Sequence, residues 1–231
     1  MIRKYAIIVA AGSGTRMGSS IPKQFLLLHE KPLVWYSVSA FLDAFEDLEV
    51  ILVLPEGYQE EGKQISESFP EKKRIHLTVG GKTRFHSVKN GLAFIRESSV
   101  VFVHDGVRCL VSEELIYRCY AAALELGNAV PVLSISDSIR IETKEGNALM
   151  DREKVKIIQT PQSFLSEILL RAFEQEYQQT FTDESSVVEK LGIKINLIEG
   201  EASNIKITIP TDLVIAEKLL ESREHANKNR I

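Results

Sequence analysis

The chain has 231 residues, 44% of them apolar and 26% charged, and a formal net charge of −4. That length suits one large α/β domain, 1–231, and the composition is that of a folded globular protein. No window approaches the roughly 18 uninterrupted apolar residues of a membrane span, and a net negative chain argues against a broad nucleic-acid surface, which needs a basic face.

The N-terminal MIRKYAIIVAAG passes from a short apolar run straight into a glycine loop, without a small-residue cleavage site. It reads as a buried first strand, not a signal peptide, and the protein as cytoplasmic. Cys109 and Cys119 lack metal-ligand spacing, and five scattered histidines argue against a zinc site. Further strands are expected at Glu49–Leu54, Ile75–Val79, Val100–His104, Ala129–Leu133 and Ile193–Ile198, after the first at Tyr5–Val9. Helices are expected at Leu33–Phe45, Gln59–Ser68, Thr83–Arg96, Glu113–Leu126 and Leu213–Glu221. Phe85, Val88, Leu92 and Ile95 fall at three- and four-residue spacing, the mark of one helix face. Near-continuous apolar strands such as VILVL and VVFV suit a sheet covered on both sides. Strand–helix alternation of this kind predicts an α/β, doubly wound, mostly parallel sheet, with ligands beyond the carboxyl ends of its strands.

Residues 134–158 break the rhythm. Here β-branched and charged residues alternate around the turn signal KEGN, which predicts a β-hairpin arm. A lone hairpin is marginal in water, so this one is expected to pack against something, a second subunit being one candidate. The tail REHANKNRI is polar and expected to fray.

Four stretches could carry chemistry. In AAGSGTRMGSSIPKQF the glycine spacing fits neither the dinucleotide fingerprint nor a Walker A loop. Small residues still let backbone N–H groups approach a polyanion, and Arg16 and Lys23 add one forked and one point-like positive charge. Taken alone, the glycines fit an ordinary turn equally well. GGKTRFHS follows a strand and opens a helix, with Thr83 as candidate N-cap. HDGVR ends the VVFV strand. Its Asp105 suits either a metal–phosphate complex, a ribose or a turn cap, and His104 reads as structural rather than catalytic. TPQSF, TDESS and NIKIT complete the set: a turn, a helix N-cap pattern, and a Lys206 pointing away from its isoleucine neighbours.

As an ordered set, AAGSGTRMG…PKQF, GG-x-x-R-x-x-S, HDGVR, MDREKV, QTPQ, TDE and NIKIT resemble the 2-C-methyl-D-erythritol 4-phosphate cytidylyltransferase family over nearly the whole chain. The resemblance implies a Rossmann-like nucleotidyltransferase fold with a protruding arm that makes a homodimer. It also implies transfer of CMP from CTP to 2-C-methyl-D-erythritol 4-phosphate, with release of pyrophosphate and Mg²⁺ as cofactor. By position, Arg16, Lys23 and Lys206 correspond to the family's catalytic cations. Ala10, Ala11, Gly12, Ser13 and Gly14 belong to its triphosphate loop, and Gly81, Ser87 and Asp105 fall where it binds the nucleotide, Asp105 also being the candidate metal ligand. Arg108, Ser138, Arg152 and Thr160 match its substrate side, Ser138 and Arg152 serving the partner's site from the arm. The sequence departs from the family at Lys82, where acids are frequent, at Cys109, where proline is usual, and at Ser138, which replaces a threonine. Ribitol 5-phosphate cytidylyltransferases resemble the same motifs. The opening AAG, where they tend to have AGG, and Arg152 in MDREKV favour methylerythritol phosphate. A nucleotide-binding protein without catalysis is the other alternative, and the three retained cations speak against it.

Overall fold

The computed structural model describes residues 2–12 and 21–228. Its frame begins with β1 (Arg3–Val9), followed by a short antiparallel pair, β2 (Leu27–Leu28) and β3 (Lys31–Pro32). Then come α1 (Leu33–Ala44), β4 (Leu48–Leu54), α2 (Gln59–Glu67), β5 (Ile75–Val79), α3 (Arg84–Leu92) and β6 (Ser99–Asp105). The second half runs α4 (Glu113–Leu126), β7 (Asn128–Ser134), β8 (Ile139–Thr143), β9 (Gly146–Met150), β10 (Lys156–Ile158) and β11 (Gln162–Leu165). It ends with α5 (Ser166–Ala172), α6 (Glu184–Glu189), β12 (Leu197–Glu199) and α7 (Pro210–Lys228).

An eight-stranded sheet runs in the order β10-β7-β11-β6-β1-β4-β5, with β12 also paired to β7. β5, β4, β1 and β6 are parallel, so the chain leaves all four at one edge. The far half is mixed, because β11 lies antiparallel to β6 and β7, and β10 antiparallel to β7. This is the doubly wound, mostly parallel α/β sheet that the alternation predicts, a Rossmann-like arrangement.

Side chains alternate between the two faces of each strand, and two cores result. Ile8, Leu52 and Phe102 pack with α1 and α4 on one face; Ile7, Val53 and Val103 pack with α3, α5 and α6 on the other. Both faces are covered, which is why these strands are apolar at nearly every position. Phe41 of α1 and Phe102 of β6 are fully buried and 5.6 Å apart, and truncating either to alanine should cost about 3–5 kcal/mol. α4 has defined ends. The Ser112 hydroxyl accepts from Leu115 N–H, and Gly127, at φ 83°, adopts the left-handed cap that only glycine adopts cheaply.

Four expectations change. The strand predicted over Ile193–Ile198 shrinks to β12. Asn128 explains this, since its side chain donates to the Lys194 carbonyl and accepts from Asn196 N–H, taking backbone groups a ladder would use. The predicted arm narrows to the β8–β9 hairpin, because β10 returns to pair with β7. The third predicted helix starts at Arg84 with Thr83 as its cap and stops at Leu92. The last helix is longer than predicted and takes in most of the supposedly frayed tail. The Asp212 carboxylate accepts from Thr208 and Ile209 N–H groups at its start, and Lys218 pairs with Glu221 along its face. Among the described residues, no helix is long and apolar enough to cross a membrane.

Candidate active site

A cleft of about 540 Å³ opens at the carboxyl edge of the parallel strands, a volume within the range of small-ligand sites. Four segments wall it: Val9–Gly12 at the end of β1, Gly81–Arg84 with Ser87 around the start of α3, Asp105 and Val107 at and just past the end of β6, and Lys206 with Thr208 before α7. Lys23 and Gln24 close one side.

The opening loop is held from beneath. Ala10 N–H donates to the Val53 carbonyl at 2.9 Å. Gln24, fully buried, donates to the carbonyls of Ala10 and Gly12 at 2.6 and 3.0 Å. Pro22, at φ −59°, leads into a single 3-10 turn over Lys23–Phe25. Phe25 is buried and stacks on Tyr58. Lys23 is thus carried on a turn anchored by its next two side chains, and its ammonium donates to the Ile207 carbonyl at 2.8 Å. Ser13, Gly14, Arg16 and Gly18 lie outside the described residues.

Across the cleft, the Thr83 hydroxyl accepts from His86 N–H and caps α3. Gly81 donates to Ser87 Oγ at 3.0 Å, and Ser87 in turn donates to the Thr83 carbonyl. A Cβ on Gly80 would lie 2.3 Å from that of Ala11, and one on Gly81 would lie 2.3 Å from that of His86. The two glycines are therefore required by close approach of the two loops and of the α3 first turn.

Asp105 is the charge centre. Lys206 Nζ lies 2.8 Å and Arg108 Nε 3.7 Å from one of its oxygens, and Arg84 Nη2 lies 3.1 Å from the other. Burial works against ionisation, but Arg84 and Lys206, with Arg108, outweigh it and hold the carboxyl well below the usual range. Burial also opposes the Arg84 charge, yet Glu184 and Asp105 outweigh it and raise that guanidinium above its ordinary value. Lys206 lies in the segment between β12 and α7, outside any strand. Ile207, fully buried, bonds Val107 through its N–H, and Lys206 turns the other way into the cleft.

Behind the cleft a hydrogen-bond chain fixes the HDGVR turn. Asp105 N–H donates to Thr160 Oγ1 at 3.1 Å, and Thr160 Oγ1 lies 3.1 Å from His104 Nδ1. His104 Nε2 faces the Arg108 carbonyl at 3.1 Å and must donate to it, so Nδ1 of the neutral ring accepts from Thr160. Burial pushes the imidazole down to about 4, which keeps it neutral. Arg108 is itself buried and donates to the carbonyls of Asn204 and Ile158. Thr160 and Arg108 therefore stand in the wall behind the cleft. Ser138 and Arg152 are exposed at the base of the β8–β9 hairpin and do not line this chain's own cleft, and Arg152 donates to the Ser136 carbonyl.

Sequence reasoning assigned no role to Arg84, Glu184, Gln24 or Asn204. Arg84 carried a signal, because a cation in the first turn of a helix opposes the helix dipole unless anions compensate. Glu184 and Asn204 had none, since their partners are distant in sequence. Asn204 is buried, donates to the Thr160 carbonyl and offers its own carbonyl to Arg108 and Gln159. TDESS is the predicted cap. Asp183 accepts from Ser186 N–H in a capping box and binds Gln162 of TPQ at 2.8 Å.

Among the described residues lining the cleft, Asp105 is the single carboxylate. Mg²⁺ takes oxygen ligands and is commonly held by one or two carboxylates together with substrate phosphates. A lone acid facing three cations fits one ligand to a phosphate-borne ion, not a protein-built metal centre.

A family model described as 2-C-methyl-D-erythritol 4-phosphate cytidylyltransferase matches residues 4–222. A relative of that name from Phocaeicola vulgatus is 43% identical over 219 residues, covering 95% of this chain and 100% of its own length. Another of that name from Bacteroides fragilis is 44% identical over 215 residues, covering 93% of this chain and 98% of its own. Among solved structures, the 4-diphosphocytidyl-2C-methyl-D-erythritol synthase of Anaerococcus prevotii superposes with a TM-score of 0.81 at 27% identity, over 95% of this chain and 99% of that one. The 2-C-methyl-D-erythritol 4-phosphate cytidylyltransferase of Thermus thermophilus superposes with a TM-score of 0.75 at 32% identity, over 95% and 98%.

Proposed function

The chain belongs to the 2-C-methyl-D-erythritol 4-phosphate cytidylyltransferase family, and from that premise we propose how its cleft performs the reaction. The enzyme transfers CMP from CTP to 2-C-methyl-D-erythritol 4-phosphate, giving 4-diphosphocytidyl-2-C-methyl-D-erythritol and pyrophosphate. The observation that carries the mechanism is the convergence of Lys23 and Lys206, from opposite ends of the chain, on one side of a cleft whose single described acid is Asp105.

The nucleophile is an oxygen of the acceptor's phosphate. It forms a bond to the α-phosphorus of CTP while the bond from that phosphorus to the bridging oxygen breaks, and the electron pair leaves with pyrophosphate. A phosphate monoester has its second pKa near about 6, so it arrives largely dianionic and needs no general base. This agrees with a histidine held neutral and committed behind the wall. The obstacle is repulsion between a dianion and a triphosphate. Positioned cations remove it: Lys23 and Lys206 at the α-phosphate, Arg84 and Lys82 nearby, and Arg16 by family correspondence. Ala10–Gly14 would wrap the phosphates, and Gly81 and Ser87 would face the base. Mg²⁺ would be held by the phosphates and Asp105 and would offset part of their charge.

The acceptor side requires a second protomer in this reading. Leu149 and Ile141 on the arm are 72% and 47% exposed, an apolar surface that a partner would cover. Ser138 and Arg152 would then meet the partner's acceptor substrate. The homodimer is expected to work in the cytoplasm.

Pyrophosphate release from CTP, followed in parallel with methylerythritol phosphate and ribitol 5-phosphate, tests the reading. Release with the first acceptor is expected. Preference for ribitol phosphate would overturn the acceptor assignment, and no release with either would overturn the function.

A further inference from the structure

The charges of the cleft continue one layer below its lining. Glu184 is the first residue of α6, and it is 1% exposed. One of its carboxylate oxygens accepts from Arg84 Nη1, and the other is buried without a hydrogen-bond partner. Arg84 Nη2 then reaches Asp105 at 3.1 Å, and Asp105 reaches Lys206 at 2.8 Å. Four side chains of alternating sign thus run from the interior to the cleft: Glu184, Arg84, Asp105, Lys206.

We propose that Glu184 is a positioning residue for nucleotidyl transfer: by holding Arg84 it orients the Asp105 carboxylate and, through Asp105, the ammonium of Lys206. The proposal rests on the reading of Asp105 and Lys206 given above. A guanidinium is a planar fork, so carboxylates on two of its nitrogens fix its plane. With Asp105 as its only anchor, Arg84 could swing toward the phosphates and draw Asp105 away from Lys206. A purely structural role explains Glu184 poorly. The start of α6 is already capped by Asp183 and Ser186. An acid in the first turn suits the helix dipole, yet an exposed one would do so without the cost of burial. The charge of Glu184 is matched instead to Arg84, across 100 residues of sequence.

Glu184→Gln keeps the shape and an acceptor for Arg84 but removes the charge. In the full-length enzyme, kcat should fall on the order of tenfold to a hundredfold, as for a misplaced catalytic group. The KM for CTP should stay level or drop, because a less neutralised Arg84 still attracts phosphate. In an Arg84→Gln background the same substitution should add little, since the two residues act as one unit. Unchanged kcat, a loss confined to KM, or full additivity with Arg84→Gln would overturn the proposal. Should Glu184→Gln not fold, Arg84→Lys carries the same readout. It keeps the charge but replaces the two nitrogens that reach Glu184 and Asp105 with a single ammonium that has no fixed plane, and its kcat should fall without a rise in KM; unchanged kcat would overturn the proposal equally. Wild-type enzyme assayed alongside separates the two failures. An inactive wild type contradicts the function, whereas an active wild type with unaffected variants contradicts only the role of Glu184.

Discussion

The ammonium of Lys23 donates to the carbonyl of Ile207, 2.8 Å away and 184 residues later in sequence. The first loop and the last loop of the chain are thereby tied together beside Lys206. This contact turns two separately unremarkable lysines into one cationic wall. Lys23→Ala and Lys206→Ala should each lower kcat about a hundredfold or more, the scale of one lost electrostatic stabiliser, while CTP binding by calorimetry changes much less. Near-normal turnover in either variant would remove the pair from the mechanism.

Much of the frame was legible because burial leaves a plain mark. VILVL and VVFV are apolar at consecutive positions because helices cover both sheet faces, and the helix expected over Glu113–Leu126 has those same bounds in the structure, where Ser112 and Gly127 cap it. Within the site, the strand-end and helix-start positions of Asp105 and Thr83 were readable locally. The pairing was not. Nothing near Arg84 in sequence announces that Glu184 and Asp105 flank it, and nothing near Asn128 shows that its side chain interrupts a strand at Lys194–Asn196. Lys206 was readable as a residue facing away from its isoleucine neighbours, but its partners come from segments a hundred or more residues away. Long-range polar pairing lacks the periodicity that hydrophobic burial imposes.

Thr160 lies behind the cleft, where one hydroxyl serves both Asp105 N–H and His104 Nδ1. Thr160→Val keeps the volume and leaves both groups unpartnered. The expected cost is about 1–3 kcal/mol, seen as a melting temperature lower by about 2–6 °C, with reduced turnover because the Asp105 turn loosens. Unchanged melting and turnover would show that this chain does not hold the site.

His104 makes stability depend on pH. Burial depresses its pKa to about 4 in the folded state, against about 6.5 unfolded. As pH falls, the unfolded chain takes up this proton first. The contribution is therefore complete above about pH 6.5, is lost progressively down to about pH 4, and amounts to about 3 kcal/mol. Glu184, its pKa raised mainly by burial, works in the opposite sense, so the comparison must be with a His104 variant. Urea unfolding of His104→Gln should show a flatter dependence across that window than the wild type. Parallel curves would contradict the assignment.

Gly81 is constrained by the first turn of α3. The added Cβ of Gly81→Ala would lie 2.3 Å from His86 Cβ and 3.0 Å from its backbone carbon, so the loop proposed to face the nucleotide must shift. We expect kcat/KM for CTP to fall on the order of tenfold to a hundredfold, with a much smaller change in melting temperature. Wild-type kinetics would mean that this loop does not shape the nucleotide site.

In the proposed mechanism, an oxygen of the acceptor's own phosphate attacks the α-phosphorus of CTP within this cleft. Mass spectrometry of the products, starting from methylerythritol phosphate carrying heavy oxygen in its phosphate, tests it directly. All of the label should remain in the cytidine diphosphate diester, and the released pyrophosphate should carry none. Label in the pyrophosphate, or a diester that has lost label, would contradict the mechanism.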